Sequence, residues 1–252
     1  MYKEILDTIK ELGDHLPALA GETNDLGLKK TVVTEWDIKI EKELTELIKT
    51  FPGEHTIFAE EISNTFTDAE NVWIMDPISN TFNFVHGLPH YSIVLSHVHK
   101  GKVIFGVVYD PSTQELFTAE KGKGAYLNGK QIKVSNRIDK LVTLMGPHLN
   151  PGNSYRLNIL KILGSLSSFS TVRTFGSVGI HYAYVACGRV DIAITKNSDV
   201  FPEFAGKLLV EEAGGTFTDF NNQSLNLTSK SILATNGKIH ARVLGEIQKS
   251  LG

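Results

Sequence analysis

Trp73-Ile74-Met75-Asp76-Pro77-Ile78-Ser79-Asn80-Thr81-Phe82-Asn83-Phe84-Val85-His86-Gly87 is the stretch on which the reading of this chain turns. The apolar run Val72–Met75 has the length and composition of a strand, and it feeds directly into Asp76-Pro77. A carboxylate thus stands at the end of a strand. Upstream, Thr56–Ala59 reads as a second short strand, and it runs into Glu60-Glu61. Further upstream, Thr34 opens a helix with Asp37 three residues on as a capping-box partner. The buried stripe of that helix is Ile40, Leu44, Leu47, Ile48 and Phe51, and Pro52-Gly53 ends it. An earlier helix carries Ile5, Ile9, Leu12 and Leu16 at helical spacing and closes at Pro17.

Downstream the period is that of strands. Tyr91–His99 and Val103–Tyr109 flank the tight turn Lys100-Gly101, Glu115–Ala119 and Gly124–Leu127 continue a sheet, and Asn128-Gly129 turns into Gln131–Val134. The second half alternates. Tyr155–Leu163 reads as a helix, Ser170–Arg173 as a strand, Ser177–Ala186 as a small-residue helix and Asp191–Ile194 as a strand. Pro202 stands in a first helical turn ahead of Phe204, Ala205, Leu208 and Leu209. Thr216–Asp219 and Ile232–Ala234 are short strands, and a last helix uses Ile239, Val243, Leu244 and Ile247. The pattern predicts a layered α/β chain, residues 1–252 forming a single unit of two lobes, about 1–140 and 141–252, with no repeat or low-complexity linker.

The bulk properties narrow the function. A net charge of −3 and a pI near 6.3 supply no basic field for nucleic acid, and the adjacent basic pair Lys29-Lys30 reads as a solvated loop. No uninterrupted apolar run reaches the roughly 18 residues that a membrane span needs. The start Met1-Tyr2-Lys3-Glu4 opens an amphipathic pattern rather than a secretory signal, so the expected location is the cytoplasm. The single cysteine, Cys187, reads as an inert core thiol. Asp37, Glu60-Glu61 and Asp76 each lie at the edge of an apolar element, and carboxylates from strand ends can converge on a crevice that suits a hard cation. Taken singly, Glu-Glu is more often solvated surface and Asp-Pro more often a turn.

The longer string resembles the signature of the inositol monophosphatase family, which reads Asp-Pro-Ile-Asp-Gly-Thr followed by Asn-Phe and His-Gly. Phe58-Ala59-Glu60-Glu61 is similar to that family's Gly-Glu-Glu segment. Ala205–Gly215 resembles its C-terminal helix motif, and Gly176-Ser177 and Ile232–Gly237 match its usual text. The resemblance implies a layered αβαβα sandwich, usually a homodimer, that hydrolyses a small phosphate monoester with Mg²⁺. Carried over residue by residue, Glu60, Asp76 and the carbonyl of Ile78 would hold the first metal, with the Thr81 hydroxyl region completing the shell. Glu60 and Thr81 would orient the attacking water, Asp37 would support Thr81, and backbone amides around Asn80 and Thr81 would hold the phosphate.

The chain departs from this pattern at chosen points. Ser79 replaces the family's second carboxylate in the string, and Asn80 replaces its following Gly. Phe201-Pro202 stands in place of a Trp-Asp pair, and Pro offers no donor or acceptor side chain. One metal site is therefore expected intact and the second impaired. Asp199 is a candidate substitute ligand whose ordinary reading is a loop or cap residue, and Glu203 points in the wrong direction from the helix. The resemblance also places a substrate-hydroxyl residue, acidic in many members, at Thr195, which leaves inositol recognition open. His86 and His90 read as structural. Two hypotheses follow: an altered phosphomonoesterase acting on a small phosphorylated metabolite, or an inactive descendant acting as a binding or regulatory protein.

Overall fold

Thr34 and Asp37 form the reciprocal cap that their spacing anticipates. In the computed structural model, which describes residues 1–28, 32–63, 65–66, 69–146, 156–196 and 201–251, Thr34 Oγ1 accepts from the N–H of Trp36 (3.2 Å) and Asp37 (3.4 Å), and Asp37 Oδ2 accepts from Thr34 N–H at 2.8 Å. This cap starts α2 (Glu35–Lys49), which packs beside α1 (Tyr2–Asp14). Ile5, Ile9 and Leu12 of α1 and Ile40, Leu44 and Ile48 of α2 lie in one apolar cluster. Lys29, Lys30 and Tyr155 lie outside the described residues, as does Asp199.

Seven strands follow in a sheet whose spatial order is the chain order: β1 (Thr56–Ala59), β2 (Asn71–Ser79), β3 (Ser92–His99), β4 (Lys102–Asp110), β5 (Glu115–Glu120), β6 (Gly124–Leu127) and β7 (Lys130–Ile132). β1 pairs with β2 in parallel, and the remaining pairs are antiparallel. The strand period sorts the side chains of β2. Trp73 and Met75 join the cluster under α1 and α2, whereas Val72 and Ile74 face a second cluster.

That second cluster is the middle of the molecule. It receives α5 (Val178–Ala186) and α6 (Glu203–Glu212) on top of the first sheet, and beyond them one face of a five-stranded sheet ordered β11-β12-β10-β8-β9. These strands are β8 (Leu141–Met145), β9 (Ser170–Thr174), β10 (Ile192–Thr195), β11 (Thr216–Thr218) and β12 (Ile232–Thr235). The far face carries α4 (Arg156–Leu166) and α7 (His240–Leu251) over a third cluster. The layers run helix, sheet, helix, sheet, helix, which is the αβαβα sandwich. Gly106 lets α6 approach closely, since a Cβ there would lie 3.0 Å from the Ala205 Cα. Among the described residues no helix is long and apolar enough to cross a membrane.

The structure adds elements that patterning alone does not single out. β2 continues through Asp76-Pro77 to Ser79, with a register shift between Asp76 and Ser79 in its pairing to β3. A bulge is where a strand tolerates Pro, because the missing N–H falls out of the ladder. β8 pairs in parallel with both β9 and β10. A five-residue helix, α3 (Thr81–Val85), follows β2. Pro202 stands just ahead of α6 as its N-cap, making no side-chain cap bond.

Trp73 rests on His97, stacked at 4.3 Å between ring centroids and 4° between planes. His97 Nδ1 lies 2.9 Å from the Tyr2 hydroxyl and Nε2 lies 3.3 Å from Asn71 Oδ1. A neutral ring satisfies both contacts, with Tyr2 O–H donating and Nε2–H donating onward to Asn71. Burial, reinforced by the neighbouring His55 and His99, pushes His97 down to about 4. The unfolded chain takes up this proton near pH 6.5 and the folded chain only near pH 4, so stability is lost as pH falls through that window. The ceiling on the loss is about 3 kcal/mol. Urea unfolding between pH 7 and 4.5 should show this decline, and His97→Gln should flatten it.

Candidate active site

Parallel pairing sets side by side the strands that lead to the two expected cation ligands. Phe58 is opposite Ile74 and Ala59 opposite Met75, and Glu60 and Asp76 are the residues that follow these last partners. The faces agree as well. Phe58 and Ile74 both face the middle cluster, and Asp76 has the parity of Ile74 along β2. Asp76 is 4% exposed, Glu61 9% and Asp37 1%, so the carboxylates gather at the carboxyl ends of β1 and β2 in a largely dry place. Among the described residues no three His, Cys, Asp or Glu side chains are grouped to hold a metal ion.

The turn after β2 supplies oxygen atoms. Thr81 Oγ1 lies 2.8 Å from the Ile78 carbonyl and 3.0 Å from Asp37 Oδ1. Its single proton goes to one of these acceptors, and an oxygen lone pair stays available to accept from water. Asp37 is held from its other side by Thr34, whose hydroxyl donates to Oδ2 at 2.6 Å. Burial pushes the Asp37 carboxyl up to about 6, the Thr34 donors pull it back, and the charge of Glu61 pushes the same way as burial. The Asp37 cap of α2 and the support of Thr81 are thus one side chain in two roles.

Asn80 explains how the family's glycine can be absent. It adopts the left-handed conformation, φ 69° and ψ 55°, and Asn is the residue after Gly that most readily does so. Its Nδ2 donates to the His90 carbonyl at 3.4 Å, and Asn83 Nδ2 donates to the Pro89 carbonyl at 2.6 Å. These amides fold the segment onto Gly176, where a Cβ would fall 1.6 Å from Asn80 Nδ2. Gly176→Ala should therefore cost about 1–3 kcal/mol through overpacking, read as a lowered urea midpoint. Adding Asn80→Gly should recover part of the loss, since Asn83 Nδ2 still stands 2.5 Å from the same Cβ.

The replaced positions are filled rather than open. Ser79 ends β2 at 4% exposure. Phe201 packs on Phe58 at 4.8 Å between centroids, beside the buried Pro202. Thr195 is fully buried at the end of β10, and its hydroxyl accepts from Tyr182 at 2.9 Å, so the structure brings it to Tyr182 rather than to an exposed face. Tyr182 also reaches Glu203 Oε1 at 3.4 Å. His86 Nδ1 donates to the Phe82 carbonyl at 2.8 Å and its ring stacks on Phe82. His90 stacks on Phe175. Cys187 is half-buried, and burial pushes its thiol up, away from the reactive thiolate.

One site residue escapes the sequence reading. Glu41, 1% exposed on α2, accepts from the backbone N–H groups of Glu61, Ile62 and Ser63 at 2.8–3.1 Å. The available signal was its position one turn after Asp37 on the same helix face.

Comparison with known proteins gives the same answer as the geometry. The model of the "Inositol monophosphatase family" matches residues 6–251. A Thermotoga maritima fructose-1,6-bisphosphatase/inositol-1-monophosphatase is 35% identical over 228 residues, covering 88% of this chain and 86% of its own. A Pasteurella multocida protein named Nus factor SuhB is 34% identical over 248 residues, covering 96% and 89%. A crystal structure of an IMPase/NADP phosphatase complexed with Mg²⁺ and phosphate superposes with a TM-score of 0.84 at 26% identity, covering 97% of this chain and 93% of that one. Sandwich, strand-end carboxylates and near full-length matches agree, and the chain belongs to the inositol monophosphatase family.

Proposed function

We propose that the chain hydrolyses a small phosphate monoester with one Mg²⁺ per active site, more slowly than relatives that keep both metal sites. The observation that supports this reading is the parallel pairing of β1 on β2 up to Ala59 opposite Met75, with Glu60 and Asp76 each following the last paired residue, near the Asp37–Thr81 contact. The donor set fits the ion. Mg²⁺ is commonly held by one or two carboxylates, with water and substrate phosphate making up the octahedron, and Glu60, Asp76 and the Ile78 carbonyl supply that kind of shell. When bound, the cation supplies positive charge that offsets the negative charge growing on the phosphoryl oxygens.

The chain's own groups do the rest. Thr81 commits its proton to Asp37 and accepts a hydrogen bond from the attacking water. Glu60 accepts the other water proton, leaving the water lone pair aimed at phosphorus. Backbone amides around Asn80 and Thr81 hold the phosphate in line. The new P–O bond forms as the ester P–O bond breaks, and the departing alkoxide takes a proton from solvent. Ser79 and Pro202 offer no carboxylate to hold a second cation at that leaving oxygen, which is the physical reason for a slow rate. The protein is expected to act as a homodimer in the cytoplasm.

Phosphate release from a panel of inositol, sugar and nucleotide monophosphates tests this reading. Turnover that depends on Mg²⁺ and stops with chelator is the expected result. The competing reading is a regulatory binding protein that keeps the fold. The loss of two carboxylates from one site and the relative named as a Nus factor favour it. No release from any substrate and no divalent-ion binding, together with a partner recovered by pull-down, would favour it instead.

A further inference from the structure

Glu41 lies on the α2 face that meets the Glu60 turn. Its two oxygens take four contacts from three successive N–H groups: Oε2 from Glu61 (3.0 Å) and Ile62 (3.1 Å), Oε1 from Ile62 (3.0 Å) and Ser63 (2.8 Å). The same turn is closed by Ala59 N–H donating to the Ser63 carbonyl at 2.9 Å. Glu60 is the one residue between the end of β1 at Ala59 and the first N–H that Glu41 holds. Its backbone is therefore pinned from the strand on one side and from the Glu41 carboxylate on the other.

From this we infer that Glu41 is a positioning residue: it fixes the turn that aims the Glu60 carboxylate at its place beside Asp76. The inference rests on the reading of Glu60 and Asp76 as cation ligands. The chemistry is specific to a carboxylate. Three converging N–H donors need two acceptor oxygens, and an amide offers one oxygen and turns its own N–H₂ against the remaining donors. Aspartate, shorter by one methylene, cannot span the three. Without the clamp, the turn gains backbone freedom and Glu60 must be ordered again each time a cation binds. Residues that orient a metal ligand from behind commonly change affinity 10–100-fold when altered.

The test uses Mn²⁺ as the probe, its free fraction read by electron paramagnetic resonance, with wild type, Glu41→Gln, Glu41→Asp and Ile48→Val. Ile48→Val trims the core face of the same helix without touching the turn, so it separates a general loss of stability from loss of the clamp. The expected result is Mn²⁺ affinity weaker by about 10-fold or more in Glu41→Gln and Glu41→Asp, and unchanged in Ile48→Val. Hydrogen exchange should also accelerate at the amides of residues 61–63 in the Glu41 variants alone. Wild-type affinity in whichever Glu41 variant folds, or unchanged protection at 61–63, overturns the inference while leaving Glu60 and Asp76 as ligands. Absence of Mn²⁺ binding by the wild type overturns the ligand reading, and the positioning role with it.

Discussion

Asp76→Asn is expected to lower Mg²⁺-dependent phosphate release by at least ~10³-fold with little change in the folded state. An amide at this place keeps the shape of the carboxylate but not the charge that a hard cation needs. In a fuller site the loss of one anionic ligand is shared. Here Asp76 and Glu60 are the two carboxylates proposed to hold the cation, each just beyond the last pair of the β1–β2 register. Removing one electrostatic stabiliser costs ~10²–10³ in rate when the others stay in place. A site with a single carboxylate left should do worse. Glu60→Gln should match it, because it loses both a ligand and the acceptor for the water proton. The check is kcat/KM for the most active monoester across a Mg²⁺ series. Activity that persists within tenfold of wild type at every concentration would place the chemistry elsewhere.

The opposite experiment rebuilds what the sequence has lost. Ser79→Asp combined with Pro202→Asp is expected to raise turnover by ~10²-fold or more and to raise cation stoichiometry from one to two. Ser79 is the last residue of β2, on the strand that carries Asp76. Position 202 has φ −79° and ψ −18°, which aspartate adopts without strain. Losing the proline's restraint on the unfolded chain should cost ~0.4–1 kcal/mol. Each single variant should give little, since one added carboxylate without the other leaves the second cation poorly held. A double variant no faster than wild type would mean that the packing of Phe201 on Phe58, rather than ligand loss, limits the reaction.

Much of this architecture was legible from residue pattern. The Thr34-to-Asp37 spacing anticipated a cap that the structure forms in both directions, and period-two runs located most strands of the first sheet. The five-residue α3 is too short to show a helical period. β8 was passed over although Leu141–Met145 is an apolar run, because no tight turn links it to a neighbouring strand. Its partners β9 and β10 stand about 30 and 50 residues on, a separation that only a folded parallel sheet closes.

The site divided in the same way. Glu60, Asp76 and Thr81 stood out because a motif carried them. Glu41 did not, since one acid on a helix that also bears Glu35, Glu43 and Glu46 reads as a solvated face. Its burial is decided by a loop some twenty residues later. Thr195 was anticipated at the substrate, and the partner it meets is Tyr182, a tertiary fact with no local signal. The parallel pairing of the two strands that lead to Glu60 and Asp76 was likewise unreadable from either strand alone.

The most direct test of the account counts ions. Titrating Mn²⁺ into wild type and Asp76→Asn, with bound ion read by electron paramagnetic resonance, should give one ion per chain in the first and none at the same concentrations in the second. Two ions per chain in the wild type, or one that survives in Asp76→Asn, would contradict a single cation held between Glu60 and Asp76.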